Sequence, residues 1–153
     1  MRAISSIEVL EYKDVLGTHK ILFGGVYPWA GQDRLATAPE IDISKGGYEK
    51  MFALPQDIRR ATEYGLEQGR NIAFMQTKPG EVMGSLCHAH PFLDGNGRTI
   101  MVMHGELAYR AGISIDWAKV EKSTYLTVLT QELYFPGKGH LEGASQFCIS
   151  INT

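Results

Sequence analysis

Nine consecutive residues carry the side chains best suited to phosphate chemistry: His90-Pro91-Phe92-Leu93-Asp94-Gly95-Asn96-Gly97-Arg98. Gly95 and Gly97 lack a Cβ, so their backbone can take unusual φ/ψ values and bring amide N–H groups close to an anion. The helix predicted to begin near Gly97 adds its unpaired N–H groups and the positive end of its dipole. Arg98, in the first turn of that helix, adds a forked cation. Residues 90–98 therefore predict a loop that binds phosphate groups.

Two further side chains could carry out chemistry on a phosphate held by this loop. Asp94 offers a hard oxygen ligand to Mg²⁺, which keeps its remaining waters and bridges phosphate oxygens. Histidine titrates near neutral pH, so His90 could take a proton from an attacking hydroxyl. We interpret Asp94 as a candidate metal ligand and His90 as a candidate general base.

Simpler interpretations exist for the same residues. The tetrapeptide Asp-Gly-Asn-Gly is by itself a common turn sequence. A calcium-binding loop in this register would need Asp at its first position and Glu at its twelfth, but Phe92 and Met103 stand there. His88 and His90 lie two residues apart on a predicted helix and do not share a face, and the two cysteines show no zinc spacing. We therefore exclude a calcium loop and a structural zinc site, and the turn remains the alternative.

The flanking sequence predicts the elements that must position this loop. An apolar run from Pro79 predicts a buried helix that Pro91 ends, and apolar residues at three- and four-residue spacings predict a second helix over 97–111, capped by Gly112. The other predicted helices cover residues 6–23 (one or two helices, ending at Gly24), 56–68, a segment that starts at 71, 116–134 with Asp116 as N-cap, and about 141–147. A β-hairpin over 35–43 is the only strand element predicted before the C-terminus. The fold class is therefore predominantly α.

Composition limits the class of protein. The 153 residues suit a single domain, 1–153, and 15 basic against 17 acidic residues give a net charge of −2, which argues against broad nucleic-acid binding. No apolar run approaches the roughly 18 residues of a membrane span, and the first residues lack the apolar stretch of a secretory signal. Two cysteines cannot form a dense disulfide framework. We expect a cytoplasmic protein with neither a nucleic-acid nor a membrane partner.

At every fixed position the nine residues match the Fic (filamentation induced by cyclic AMP) signature, His-Pro-Phe-x-[Asp/Glu]-Gly-Asn-Gly-Arg. A second block, Leu22-Phe23 and Tyr27-Pro28-Trp29-Ala30-Gly31 followed by Arg34, is similar to the family's segment leading into its flap, with Lys45-Gly46-Gly47 at the far side of the flap. The resemblance covers about residues 15–135. It implies a Fic-type helical bundle with a small β-hairpin flap at about 31–47.

The resemblance also implies an activity, the transfer of a nucleoside monophosphate, usually AMP from ATP, to a hydroxyl side chain of a target protein. By this resemblance His90 is the general base, Asp94 holds Mg²⁺, and the binding residues for the α- and β-phosphates are Gly95, Asn96 and Gly97. Arg98 would neutralise charge that develops toward the pyrophosphate leaving group. The target would dock on the flap through main-chain hydrogen bonds. The chain is thus predicted to be a nucleotidyltransferase with Mg²⁺ as cofactor and ATP as donor.

One departure from the family leaves the donor open. Many adenylylating members carry a second Arg three residues after Arg98, where this chain has Met101. Three alternatives follow: an AMP transferase with weakened γ-phosphate contacts, a transferase with another phosphate-containing donor, or a catalytically weak or inert module that binds a nucleotide or a partner. His104, one turn further on, could compensate, although a core or surface histidine is the simpler interpretation.

A second departure concerns control. The family's inhibitory helix carries [Ser/Thr]-x-x-x-Glu-[Gly/Asn], and no complete copy occurs here: Glu142-Gly143 has Lys138 at the Ser position, and Thr77 with Glu81 is followed by Val82. Two interpretations stay open. Inhibition comes from a separate antitoxin-like chain, or this mode of inhibition has been lost together with the second Arg.

Overall fold

Helices form most of the structure, as the spacing of apolar residues predicts. The computed structural model describes residues 4–41, 51–142 and 149–151. The helices and strands are α1 (Tyr12–Phe23), α2 (Arg34–Thr37), α3 (Ile58–Arg70), α4 (Ile72–Thr77), α5 (Pro79–Ala89), α6 (Asn96–Arg110), β1 (Ile113–Ile115), α7 (Lys122–Tyr134) and β2 (Ile149–Ile151). The predominantly α fold class is confirmed.

Helix α1 ends at Leu22 and Phe23, the first residues of the second block, beside the active-site loop. The Asp14 carboxylate accepts a hydrogen bond from the Glu11 N–H (2.8 Å) at its start, and the Gly24 N–H donates to the Lys20 carbonyl (2.8 Å) at its end. Its inner face buries His19 and Phe23. Because side chains four residues apart lie on the same helix face, both rings reach the loop that follows α5.

Helices α3, α5 and α6 form the centre of the core. A Cβ placed on Gly65 of α3 would lie 2.8 Å from Leu86 of α5, and one placed on Gly69 would lie 2.5 Å from Leu107 of α6. Two glycines one turn apart therefore let the helices approach closely. The largest fully buried apolar side chains around this contact are Leu66, Met83, Leu86, Phe92, Ile100, Met103 and Leu107.

The loop between α5 and α6 is fixed at both ends by the core. Pro79 occupies the first turn of α5, where its missing N–H costs no hydrogen bond. Phe92, inside the loop, is fully buried, and so are Ile100 and Met103 on the following helix. The exposed residues of the loop are thus presented by an anchored segment.

Two short strands were not predicted. Strand β1 pairs antiparallel with β2, with Ile113 opposite Ile151 and Ile115 opposite Ile149. Gly112, with φ +75°, links α6 to β1. The predicted hairpin is therefore not the only strand element before the C-terminus, and a three-residue strand is too short for its alternation to stand out in the sequence.

Two other predictions need correction. The hairpin was predicted to begin at Leu35, but residues 34–37 form the single helical turn α2. The Asp33 side chain caps this turn by accepting a hydrogen bond from the Ala36 N–H (3.0 Å). Asp116 caps only a 3₁₀ turn, Trp117–Lys119, and the long helix begins at Lys122. Residues 42–50 of the flap prediction and 143–148 of the last predicted helix lie outside the described residues.

Among the residues that the structure describes, no helix combines the length and the apolar character needed to cross a bilayer.

Candidate active site

The predicted site residues lie together around one cavity of about 430 Å³. The residues that line it are Phe23, Tyr27, His90, Leu93, Asp94, Gly95, Asn96, Gly97 and Arg98. The structure therefore brings together all six residues that the sequence nominated, and adds Phe23, Tyr27 and Leu93 to them.

Gly95 sets the direction in which helix α6 begins. Its φ is +83°, and a Cβ at this position would lie 2.5 Å from the Phe23 ring. Any other residue would meet both a left-handed backbone and a clash. The carbonyl of Gly95 accepts from the Thr99 hydroxyl (2.9 Å), which ties the first turn of α6 together. The N–H groups of that turn are thus aimed at the cavity edge.

His90 ends helix α5 in a left-handed conformation with φ +42°, which a non-glycine residue rarely adopts. The buried Arg34 guanidinium holds it there, because Arg34 Nε donates to the His90 carbonyl (2.6 Å) and Nη2 donates to the Ala53 carbonyl (2.7 Å). The Phe52 ring stacks on the imidazole with centroids 4.0 Å apart. Both the backbone and the ring of His90 are therefore positioned by other segments of the chain.

The Asn96 side chain determines which nitrogen of His90 is a hydrogen-bond acceptor. Its Oδ1 accepts from the Phe92 N–H (2.8 Å) and its Nδ2 donates to the Phe92 carbonyl (2.7 Å), which fixes the orientation of the amide. Nδ2 then lies 3.2 Å from His90 Nε2. Because an amide nitrogen only donates, Nε2 is the acceptor and carries a lone pair. The side chain of Asn96 thus stabilises the loop and orients the His90 imidazole.

Asp94 points its carboxylate into the same cavity. One oxygen accepts from the Tyr27 hydroxyl, and the other accepts from the Gly95 N–H (2.8 Å). These hydrogen bonds, that from Tyr27 first, hold the pKa of the Asp94 carboxyl below its usual range. The same bond raises the pKa of Tyr27. Asp94 is therefore an exposed, ionised oxygen ligand at neutral pH.

His19, fully buried on α1, links Asp94 to the Tyr27–Gly31 segment. The Gly31 N–H donates to its Nδ1 (3.0 Å), so the proton sits on Nε2, which donates to the Asp94 carbonyl (2.9 Å). Its ring stacks on Phe92 with centroids 3.8 Å apart. Burial lowers the pKa of His19, which keeps the imidazole neutral. His19 is a positioning residue for the loop.

Gly97 and Arg98 are two exposed residues of the loop at the start of α6. A Cβ on Gly97 would meet no atom within 4 Å, and the residue is exposed. Arg98 is exposed as well, and it makes no ion pair with any residue that the structure describes. Both face outward at the start of α6, where an anion would be favoured.

Met101 and His104 lie away from this cavity. Met101, 38% exposed, lines a separate cavity of about 470 Å³ together with Ile115 and Trp117. His104 is fully buried, its Nε2 donates to the Pro79 carbonyl (2.8 Å), and burial lowers its pKa to about 4. The core interpretation of His104 is confirmed, and the suggestion that it compensates for the missing Arg is wrong.

The metal prediction can be tested against the donor set. No group of three or more His, Cys, Asp or Glu side chains within the described ranges could hold a metal ion. Asp94 is a single carboxylate, each of whose oxygens accepts one hydrogen bond and retains a free lone pair. Magnesium is commonly held by one or two carboxylates together with substrate phosphates. The site therefore fits Mg²⁺ arriving with a nucleotide.

The sequence reasoning missed the residues that hold this site in place. The sequence gives Tyr27 and Arg34 no role beyond membership of the second matching block, places His19 only within the predicted helix over 6–23, and predicts nothing for Phe52. A buried arginine leaves no local signature, since its partners Ala53 and His90 are 19 and 56 residues away. The available signal was the matched block itself, which contains both Tyr27 and Arg34.

Comparison with known proteins supports the resemblance. A model of the Fic/DOC family matches residues 9–107, more than half of the chain. The protein adenylyltransferase VbhT of Bartonella schoenbuchensis is 34% identical over 118 residues, covering 76% of this chain and 24% of that protein. The probable protein adenylyltransferase y4lH of Sinorhizobium fredii is 29% identical over 129 residues, covering 78% of this chain and 64% of that protein. This chain thus spans about a quarter and just under two thirds of these two relatives.

Solved structures share the fold. The N-terminal Fic domain of a putative cell filamentation protein (VirB-translocated Bep effector protein) of Bartonella quintana, with bound ADP, superposes with a TM-score of 0.76 at 22% identity, covering 96% of this chain and 76% of that one. BepC of Bartonella tribocorum, with bound AMPPNP, gives a TM-score of 0.74 at 21% identity, covering 94% and 76%. At these identities the likeness concerns the fold.

Proposed function

Since this chain belongs to the Fic/DOC family, we propose that it is a Mg²⁺-dependent nucleotidyltransferase that moves AMP from ATP to a hydroxyl side chain of a target protein. One observation carries the proposal: the Nε2 lone pair of His90, the Asp94 carboxylate, the N-terminus of α6 and Arg98 surround a single cavity. The names of the relatives, protein adenylyltransferases, and the ADP and AMPPNP bound by two fold neighbours support it.

The start of α6 is the proposed phosphate site. The main-chain N–H groups of Asn96 and Gly97 belong to the first turn, which has no intrahelical acceptors for them. The open space beside Gly97 lets phosphate oxygens approach the backbone, and the exposed Arg98 guanidinium lies in the same turn. We assign the α- and β-phosphates to Gly95, Asn96 and Gly97, and the charge on the leaving pyrophosphate to Arg98.

His90 is the proposed general base. Nε2 takes the proton of the target hydroxyl as the hydroxyl oxygen attacks the α-phosphorus. The bond from the α-phosphorus to the bridging oxygen breaks, and pyrophosphate leaves with that oxygen and its electron pair. Phe52 and the Arg34 contact to the His90 carbonyl fix the imidazole, and the Asn96 amide holds the Nε2 lone pair until the target hydroxyl takes its place as donor. This orientation reduces the entropy that the reacting groups must lose in the transition state.

Asp94 would hold the cation that accompanies the nucleotide. When bound, Mg²⁺ would draw charge from the phosphate oxygens of ATP. The protein supplies a carboxylate kept ionised by Tyr27 and Gly95, and a carbonyl fixed by His19. These contacts keep the ligand at a defined place on the cavity wall.

Two partners follow from the family resemblance. The target is proposed to dock along the flap, about residues 31–47, so that its hydroxyl reaches His90. A separate antitoxin-like chain is one of two proposed modes of control, the other being loss of this inhibition together with the second Arg. A cytoplasmic location is proposed with them.

The test is the mass added to target proteins. A lysate is incubated with the protein, Mg²⁺ and each candidate nucleotide, and modified peptides are identified by mass spectrometry beside a His90→Ala control. We expect His90-dependent addition of AMP from ATP on Tyr, Ser or Thr. If no nucleotide gives an adduct above the His90→Ala background, the transferase proposal is wrong.

A nucleotide-binding module without turnover is the second candidate, and Met101 is the observation that favours it. An arginine is absent from that position, and Met101 borders a cavity separate from the site. Calorimetry distinguishes the two functions: Mg²⁺-dependent ATP binding with no adduct supports the module, whereas a His90-dependent adduct removes it.

A further inference from the structure

A larger cavity, of about 920 Å³, lies between α3, α5 and α7. We call it the α5–α7 cavity; apolar atoms of Phe52, Leu54, Ala61, Leu133 and Pro136 form much of its wall. Phe52 lines this cavity and also stacks on His90, so the cavity adjoins the proposed site of transfer. Nothing in the mechanism above uses it.

Glu132 of α7 supplies a buried carboxylate to the α5–α7 cavity. The residue is 1% exposed, and neither carboxylate oxygen has a hydrogen-bond partner. It packs on Gly84 of α5, where a Cβ would lie 2.6 Å from Glu132 Cγ. The nearby Gly137 N–H favours the ionised form, but burial and the Glu142 and Glu81 carboxylates outweigh it. A buried carboxylate without a partner costs folding free energy unless something binds it.

The neighbouring charges are already engaged. Glu142 Oε1 accepts from the Glu81 N–H (2.6 Å), and the Glu81 carboxylate lies 3.7 Å from Lys78 Nζ. Across the cavity the Arg60 guanidinium lies 2.7 Å from Asp57. Glu132 is therefore the one acidic side chain lining this part of the described structure whose oxygens lack a partner.

We propose that the α5–α7 cavity binds a Lys or Arg side chain of the target protein, with the Glu132 carboxylate as its acceptor. The inference rests on the proposed transfer to a protein hydroxyl. Apolar walls suit the aliphatic stem of such a side chain, and a buried carboxylate suits its charged head. Three carboxylates nearby disfavour an anionic ligand, and a metal ion is disfavoured because the described residues hold no group of three metal-ligating side chains.

The positions of Gly84 and His90 on one helix set the spacing of the target residues. Glu132 packs against Gly84, six residues before His90, and α5 rises about 1.5 Å per residue, so the two sites are about 9 Å apart along the helix. An extended chain advances about 3.3 Å per residue. The basic residue of the target should therefore stand about three residues from the modified hydroxyl.

Binding of the side chain can be tested without any catalysis. Nα-acetyl-lysine methylamide and its uncharged analogue, Nα-acetyl-norleucine methylamide, are titrated into the full chain while the amide resonances of Gly84 and Gly137 are followed by NMR. We expect saturable shifts with the lysine probe and at least tenfold weaker binding of the norleucine probe. Glu132→Gln should abolish the preference, whereas Glu67→Gln, an exposed residue of α3, should retain it. Equal binding of both probes, no saturable shift, or an unchanged preference in Glu132→Gln overturns the proposal.

A peptide library measures the spacing and separates this inference from the proposed function. Peptides with a central Tyr, Ser or Thr and random flanks are incubated with ATP and Mg²⁺, and the modified ones are sequenced. We expect enrichment of Lys or Arg about three residues from the hydroxyl, lost in Glu132→Gln and kept in Glu67→Gln. Modification without enrichment overturns the inference and leaves the transferase intact. If no peptide is modified but the NMR titration shows a Glu132-dependent preference for lysine, the transferase proposal is contradicted. Binding of a cation in the α5–α7 cavity then still stands.

Discussion

The two cavities beside α5 treat their buried polar groups in opposite ways. Around the active-site loop, His19, Arg34 and Asn96 each donate to main-chain carbonyls of the loop or its neighbours. In the α5–α7 cavity the Glu132 oxygens have no partner. The first arrangement holds the His90 imidazole, the proposed general base, at a defined place, and the second leaves a buried carboxyl group, the proposed acceptor for a cationic side chain. Side chains that donate to the main chain therefore hold the loop in place, whereas the Glu132 carboxyl is the feature on which the proposed binding of a cation rests.

The largest expected effect comes from removing the hydrogen bonds that Arg34 donates around His90. Arg34→Met removes two charge-assisted hydrogen bonds, so the free energy of unfolding should fall by about 3 kcal/mol or more. Arg98→Ala, by contrast, should change it by no more than about 0.5 kcal/mol, because Arg98 is exposed, while lowering kcat/KM at least about tenfold. Urea unfolding and adduct formation measure both effects. A destabilised Arg98→Ala or a fully stable Arg34→Met would show that the two arginines have been assigned the wrong roles.

The next effect concerns Glu132 and depends on pH. Burial, followed by the Glu142 and Glu81 carboxylates, raises its pKa from 4.5 to about 7. A raised pKa in the folded state stabilises the protein below pH 4.5, and this contribution is lost as the pH rises toward 7. Glu132→Gln should therefore be more stable than the wild type at about pH 8, by up to about 3 kcal/mol, with little difference near pH 4.

Unfolding curves at both pH values check this prediction, with Glu67→Gln as the control for loss of an exposed charge. The low pKa of buried His104 gives an opposite pH dependence, but it is common to all the variants and cancels in the difference. A difference between Glu132→Gln and the wild type that does not change with pH would mean that folding does not shift the pKa of Glu132.

A smaller effect sharpens the role of His19. His19→Phe keeps a ring against Phe92 but leaves the Asp94 carbonyl and the Gly31 N–H without partners, so it should cost about 1 to 3 kcal/mol of unfolding free energy. His19→Gln supplies both a donor and an acceptor and should recover part of the loss. If His19 positions Asp94, KM for Mg–ATP should rise in His19→Phe and fall back in His19→Gln. A KM that is identical in both variants would limit His19 to a structural role.

The smallest expected effect concerns the nucleotide donor. Met101→Arg introduces a cation one turn after Arg98, and we expect about a tenfold gain in ATP affinity or rate, because a charge-assisted contact to phosphate is worth about 1.5 kcal/mol at the low end. Met101→Gln, with no charge, is the control. If neither ATP affinity nor rate changes in Met101→Arg, the γ-phosphate does not reach this position.

The parts of the site that sequence predicted are local, and the parts it missed are long-range. Residues 90–98 share one loop, so their types and order are enough to predict phosphate binding and, by resemblance, the fold. The contacts of Arg34 with His90 and of His19 with Asp94 join residues 56 and 75 positions apart, which no periodicity reveals. Glu132 was read only as part of a helix, because its lack of a partner depends on how α7 packs against α5.

One helix start and one strand were predicted wrongly, and both errors have physical causes. Asp116 was predicted to begin the last long helix, but its side chain accepts from the Ala118 N–H (3.2 Å) in a 3₁₀ turn, and the helix starts six residues later. An N-cap residue satisfies a short turn as well as a helix, so the sequence could not tell the two apart. Strand β1 was missed because its three residues are stabilised by pairing with residues 149–151.

The residues His90, Asp94 and Arg98 are proposed to bind ATP in one cavity and to transfer its AMP group to a target protein. The most direct test of this transfer uses ATP radiolabelled at either the α- or the γ-phosphate, Mg²⁺ and a target protein identified by mass spectrometry. The wild type is compared with His90→Ala. We expect the α-label to enter protein and the γ-label to stay out of it, with incorporation reduced by about 10²- to 10⁴-fold in His90→Ala. Incorporation of the γ-label, or α-label incorporation that is unchanged in His90→Ala, would contradict this proposal.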